Sequence, residues 1–401
     1  MVDFTPAYRT DRFGISLGEV TGAIGDSVTV LPLVVALGLL TPASLPHLLA
    51  GFALFQVIWG VIYGVPLSVE PMKALAGLAI AGTITYGDLV AAGLLAGGFL
   101  LVAGRLGALS RIESLIGEPV VRGVQFAVAL VLAVAAIELV AESPTVAAAG
   151  IAAALAVAAV SKRAVAIVLL GLGVVWAASS AGVPTPTFPA VGIFPTGEPT
   201  VSFGAIEGLT AQLAMTVGNA AVATSLLLSD LYDADISPDR LAESMGIMNL
   251  TAVPLGALPM CHGSGGLAGK YVFGARTGSA NLVAGGLYGG LALFSGVLFA
   301  FPLALLGVVL LVVSASLARV AFTSTDQPIL VGAIGGLAIA TNVGIAFVAG
   351  AFWWRLREAG FLSGRELLLD MSWADLFERA ERYGITADQI SATLEARRDD
   401  N

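Results

Sequence analysis

Two short stretches of the 401-residue chain set ionisable side chains beside helix-breaking residues in apolar surroundings: Val65 to Lys73, reading VPLSVEPMK, and Leu258 to Lys270, reading LPMCHGSGGLAGK. Pro66 and Pro71 bracket a stretch that cannot be regular helix, and Gly263, Gly265 and Gly266 weaken the start of the second. Each pattern predicts extended backbone followed by a helix. Five extended residues cover about 16 Å, about half of a hydrocarbon core, so both helices are expected to begin near the middle of a bilayer. Unpaired N–H groups and the positive dipole end make such a helix start a site for anions, and backbone out of helix is tolerated at that depth only where it lines a cavity. The expected ligand is therefore an anion. Its candidate contacts are Ser68, Val69, Glu70, Met72 and Lys73 from the first stretch and Cys261, His262, Gly263, Ser264, Gly265 and Gly266 from the second.

Lys73 falls in the first turn of its helix, where an uncompensated charge is expensive; it is expected to hold the anion or pair its charge, the structural alternative being a salt bridge to Glu70 or Asp26. Lys270 lies about seven residues into the second helix, roughly 10 Å along, and is expected to snorkel toward water as an anchor. Glu19, Gly22 and Asp26 share a helix face, as do Gln212, Thr216 and Asn219, and both faces should point inward. Thr216 and Asn219 thereby join the candidate anion contacts. Asp26, Glu70 and Glu19 are the candidates for carrying a proton: a carboxylate repels an incoming anion unless protonated, so proton and anion would favour each other's binding. The alternative for these polar residues is to hold helices together. His262 could contact the ligand, relay a proton or be a satisfied structural histidine. Cys261 could be small packing, and Ser264 could cap its helix as well as touch a ligand. Two likenesses to soluble-enzyme motifs fail: a phosphate loop needs glycine at Ser264 and a hydroxyl residue at Tyr271, and a nucleophile elbow needs glycine at His262.

The elements that must position these residues follow from composition. Hydrophobic residues make up 57% and charged residues 12%, against about 25% charged in a soluble domain, and the mean hydropathy is +0.92. This predicts an all-α polytopic membrane protein and excludes a soluble enzyme. Lys plus Arg total 19 against 28 Asp plus Glu, a net charge of -9, which leaves no basic surface for nucleic acid. The single cysteine excludes an intrachain disulfide or a multi-cysteine metal cage, and no metal-ligand spacing or cofactor motif is found. Apolar windows fall at about 14–40, 45–64, 67–82, 84–104, 119–141, 145–160 and 163–181, then at about 204–229, 241–257, 259–275, 280–300, 302–318 and 328–354. Reading the last window as two short helices that turn near Asn342 and Gly344 puts every non-membrane Lys and Arg on one side. The chain then divides into a cytoplasmic N-terminal tail (1–13), a seven-segment repeat (14–181), an external proline-rich connector (182–203), a second seven-segment repeat (204–355) and a cytoplasmic tail (356–401). Short helices are expected in that tail near Ser372 and Thr386, the latter with Gln389 completing a capping box.

One offset aligns the halves: Glu19 meets Gln212, Gly25 and Asp26 meet Gly218 and Asn219, and Pro66 meets Pro259. Because each half holds an odd number of segments, the second should be inverted relative to the first, the plan of many secondary transporters, with the broken third and tenth segments meeting near the midplane.

At these residues the chain resembles the molybdate transporter family, distant kin of the sulfate permeases. The resemblance is carried by GAIGD at residues 22–26 with Pro32, by Pro66 through Lys73, and above all by Pro259 through Gly278. It covers residues 14–355 and implies a seven-plus-seven inverted-repeat fold like that of uracil-type permeases, with a core moving against a gate. The family pattern has a neutral glutamine where this chain has Glu70. The activity expected is secondary import of a tetrahedral oxyanion, molybdate first, across the cell membrane by a multi-pass protein; the buried carboxylates make a proton the candidate co-substrate, and the one-sided Lys and Arg put both termini in the cytoplasm. Alternatives are sulfate or tungstate transport, an anion channel or sensor on the same fold, and a nucleobase permease; a homodimer is the assembly to look for.

Overall fold

The computed structural model describes residues 13–14, 16–109, 112 and 116–358; the helices expected near Ser372 and Thr386 lie outside them. The first half runs α1 (Leu17–Leu40), α2 (Leu45–Tyr63), β1 (Glu70–Pro71), α3 (Lys73–Ile80), α4 (Tyr86–Arg105), α5 (Glu118–Glu142), α6 (Pro144–Val160) and α7 (Val165–Ala181). The second runs α8 (Phe203–Met215), a π-helical stretch Thr216–Ala223, α9 (Thr224–Tyr232), α10 (Pro238–Ala252), β2 (Met260–Cys261), α11 (Ser264–Val272), α12 (Ser279–Leu293), α13 (Leu303–Thr323), α14 (Pro328–Ala340) and α15 (Val343–Glu358). Taking α8, the π stretch and α9 as one crossing, each half has seven segments, the third being a short strand followed by a short helix. The window 328–354 is two helices, parted at Thr341 and Asn342.

Local chemistry sets the ends. Ser16 caps α1 by accepting from the Glu19 amide, Thr85 and Asp88 form a capping box at α4, and Pro119, Pro144, Pro238 and Pro328 occupy first turns, where a missing N–H is harmless. Gly64 stops α2 in the left-handed region, φ 66°, and releases the chain into the extended run that leads to β1. The connector forms no helix or strand. It is pinned along its length by backbone bonds from Thr187 to Leu293, Phe194 to Pro254 and Thr200 to Gly87.

Among the described residues, six helical spans are long and apolar enough to cross a membrane unaided. The shorter α10 and α12 are lengthened by 3-10 turns at Val253–Leu255 and Ser295–Ala300. Packing follows a pattern that survives exchanging the halves: α2 lies on α12 and α4 on α10, α5 on α13, α1 on α11 and α3 on α8. The α4–α10 contact needs Gly246, since a Cβ there would stand 2.6 Å from the Leu101 backbone nitrogen. Helices α6 and α7 are apolar all round and expose Leu155, Val160, Val175 and Trp176, as helices that face lipid do. The chain divides into two compact units, Met1–Ala351 and Phe352–Asn401. The second is described to residue 358, where Arg355 pairs with Glu358 at 3.1 Å.

Candidate functional site

The two extended stretches meet each other. β1 and β2 pair antiparallel, Glu70 opposite Cys261 and Pro71 opposite Met260, and the Met72 amide donates to the Pro259 carbonyl at 2.9 Å. Prolines that deny these residues a helix leave their backbone groups needing partners, and each stretch supplies them to the other. Helices α3 and α11 therefore start side by side and leave in opposite directions. Of the predicted contacts, Ser68, Val69, Glu70, Met72, Cys261, His262, Ser264 and both Gly263 and Gly266 are buried here, while Lys73 is partly exposed and Gly265 exposed.

The two helix starts are treated differently. At α3 the Ala74 and Leu75 amides donate to Gln212 Oε1 at 3.0 and 3.4 Å, and Gln212 Nε2 donates to Thr216 at 2.8 Å. A neutral side chain from α8 thus fills that end, and Thr216 serves to orient it. At α11 the Gly266 amide donates to Glu70 Oε1 at 2.7 Å, and the other Glu70 oxygen pairs with Lys73 Nζ at 2.5 Å. The Ser264 and Gly265 amides have no acceptor among the described residues, and a Cβ added to Gly265 would meet nothing within 4 Å. Ser264 Oγ donates to Asn219 Oδ1 at 2.6 Å. The start of α11 thus offers two N–H groups and open space at Gly265, next to the Gly266 amide whose Glu70 carboxylate also holds the Lys73 ammonium.

Behind this lies a second buried charge pair. Lys270 does not snorkel: it is fully buried and its ammonium is 3.1 Å from Asp26 Oδ2. Turning inward is favourable because every partner is supplied. Lys270 also donates to Asn281 Oδ1 at 2.8 Å and Gln56 Oε1 at 3.3 Å. Asp26 accepts from Ser68 Oγ at 2.6 Å and Gln56 Nε2 at 3.3 Å, and Asn281 and Gln56 reach on to the carbonyls of Leu67 and Val69. The network ties α1, α2, α11 and α12 to the extended stretch before α3. Sequence reading missed Gln56 and Asn281 as parts of it; their signal is a carboxamide inside an apolar window, rare and seldom idle in a membrane span.

Glu19 is not brought to this centre. Its carboxylate accepts from the Arg276, Thr277 and Ala280 amides, each at 3.1 Å, and so caps the start of α12. His262 lies edge-on to Trp59 and Tyr63; its Nδ1 donates to the Ser68 carbonyl at 3.1 Å and its Nε2 is 2.8 Å from Ser244 Oγ. Both ring nitrogens are engaged by the protein, which fits the structural role. Cys261 Sγ is 3.8 Å from the Pro71 carbonyl, a packing position across the two strands.

A cavity of about 210 Å³ is lined by Gly117, Glu118, Val121 and Arg122 at the start of α5 and by Gly218 and Asn219 of the π stretch, among others. Asn219 belongs to both the cavity and the α11 start, so the open volume ends one hydrogen bond from Ser264. Arg122 in its wall is held by Glu118 at 3.1 Å and by Gln125 at 3.2 Å.

A family model described as molybdate transporter of MFS superfamily matches residues 18–132 and 204–317, one stretch in each half. The chain is 29% identical over 404 residues to Molybdate transporter 1 of Arabidopsis thaliana, covering 84% of this chain and 87% of that protein. Against Molybdate transporter 1 of Chlamydomonas reinhardtii it is 26% identical over 496 residues, covering 86% and 96%. Among solved structures it is similar to the transmembrane domain of a cyanobacterium bicarbonate transporter, BicA, with TM-score 0.59, 17% identity and coverage of 83% and 96%. It is also similar to the murine Solute Carrier 26 family member A9 anion transporter in the inward-facing state, with TM-score 0.63, 12% identity and coverage of 87% and 70%. These structural likenesses are of fold. The matched stretches contain both broken segments whole, together with Asp26, Asn219 and Lys270, and the chain belongs to the molybdate transporter family.

Proposed function

We propose that this chain is a secondary active transporter that imports a tetrahedral oxyanion, molybdate first with tungstate and sulfate as competitors, by alternating access and in company with protons. The observation that carries the reading is the start of α11, where the Ser264 and Gly265 amides have no acceptor among the described residues, Gly265 borders open space, and Glu70 links the next amide, that of Gly266, to Lys73. A tetrahedral dianion offers several acceptor oxygens at once, which suits a cradle of N–H, hydroxyl and ammonium donors in low dielectric. The named activity of the Arabidopsis and Chlamydomonas relatives, molybdate transport, supports the choice of anion.

Assigning the side that carries Arg105, Arg122, Lys162, Arg163, Arg240, Arg276 and Arg319 to the cytoplasm, as positive charge favours, makes both tails cytoplasmic and the connector external. The cavity beside Arg122 then opens inward, and transport requires a second arrangement in which it closes and an external path opens. Uptake of labelled molybdate by cells producing the protein tests the reading: accumulation well above an empty-vector control, reduced by excess tungstate or sulfate and raised by external acid, is expected. No uptake above control, with the protein verified in the membrane, overturns it.

A further inference from the structure

Three buried carboxylates lie in the region of the broken segments, and their surroundings separate them. Glu19 is consumed by the backbone amides of Arg276 and Thr277, just before α12, and of Ala280 in its first turn. Asp26 is consumed by Lys270, Ser68 and Gln56. Glu70 alone spends its two oxygens on groups an incoming anion would want, the Gly266 amide at the α11 start and the Lys73 ammonium. We propose that Glu70 is a tethered competitor for the oxyanion site: its carboxylate occupies the donors of α11 and Lys73, and it must take up a proton before the substrate dianion can bind.

The geometry around Glu70 is built to hold it there. A Cβ on Gly263 would overlap the Glu70 carboxyl, and one on Gly266 would overlap Glu70 together with Asp26 and Ser68. Those two glycines clear the room the carboxylate fills. Gly265, between them in sequence, borders open space instead, so the competitor and an anion in that space would lie on adjacent faces of one helix start. The titratable groups that face Glu70 are Lys73 on α3, Asp26 from α1, Cys261 from β2, Lys270 from α11 and Tyr288 from α12. Asp26 and Lys270 neutralise each other, which leaves the Glu70–Lys73 pair to respond to a dianion. A charged Glu70 cancels the Lys73 ammonium and repels the guest. A protonated Glu70 frees that ammonium and offers its own O–H as a further donor. One proton is taken up for each anion bound, so binding must strengthen as pH falls.

This proposal rests on the oxyanion reading, and its test keeps the two apart. Molybdate binding to the purified protein is measured by calorimetry at acid and at neutral pH for wild type, Glu70→Gln and Glu70→Ala. Wild-type affinity is expected to rise toward acid. Both variants are expected to bind at neutral pH about tenfold or more tightly than wild type, the weight of one charge-assisted contact, and to lose the pH dependence. Glu70→Ala guards against a glutamine amide that itself blocks the site. Variants that remain monodisperse and bind no more tightly than wild type, or that keep the wild-type pH response, overturn the competitor role while leaving the oxyanion reading standing. Failure of all three proteins to bind molybdate at any pH overturns both.

Discussion

An aspartate and a lysine buried 3.1 Å apart, with Ser68, Gln56 and Asn281 closing the network, are stable together and unstable singly. Removing one partner of such a pair strands a charge and costs about 3 to 5 kcal/mol, whereas removing both charges together costs far less. Lys270→Met is therefore expected to lower the unfolding temperature of the purified protein sharply, and the double variant Asp26→Asn with Lys270→Met to recover most of the loss. Equal destabilisation by the single and double variants would mean that the pair is not coupled. Glu19 makes a contrasting case. As acceptor for three amides at and just before the start of α12 it is a capping group, so Glu19→Gln is expected to reduce stability by about 1 kcal/mol and to leave the pH dependence of molybdate binding unchanged; a flattened pH profile would make it a proton carrier after all. The two interrupted segments were legible because proline and glycine break an apolar run. The work of each carboxylate was not, since Glu19, Asp26 and Glu70 differ in the amides and ammonium groups that reach them from α11 and the segment leading into α12, more than 180 residues away in the chain.

At the scale of elements, the start of α11 assigns different work to adjacent glycines. A methyl group at Gly266 would drive into Glu70, Asp26 and Ser68, while one at Gly265 would enter open space. Gly266→Ala is accordingly expected to destabilise the protein, and Gly265→Ala to leave thermal stability near wild type but to weaken molybdate binding, because the added methyl intrudes where the anion would sit. A Gly265→Ala protein that binds as tightly as wild type would remove that amide from the site. The broken segments could be read from Pro and Gly, whose effects are local, and the division of 328–354 from the one-sided placing of Lys and Arg. The π-helical stretch could not. Thr216–Ala223 lies within one apolar window, and the Gln212–Thr216 and Ser264–Asn219 bonds at that stretch include a partner from a segment far along the chain. Lys270 was misread for a related reason: its distance along α11 was right, but the axis alone did not reveal that Asp26, Gln56 and Asn281 surround it.

Across the whole molecule, the helix pairings are the same after the halves are exchanged, α2 with α12 answering α4 with α10 and α1 with α11 answering α3 with α8. The family description invokes the MFS superfamily, whose halves hold six spans each. Here each half has seven segments with a strand-interrupted third, and the likeness in fold is to BicA and to the Solute Carrier 26 member. Such a plan makes sidedness testable. Cys261 is the single cysteine and is buried, so an introduced thiol can be read without background. Val222 lines the cavity beside Arg122, and Val191 is fully exposed on the connector. If that cavity opens to the cytoplasm, Val222→Cys should react with a membrane-impermeant thiol reagent in inverted vesicles and stay unlabelled in right-side-out ones, and Val191→Cys should do the reverse. Labelling of both positions from one face would contradict an inward-opening cavity opposite an external connector.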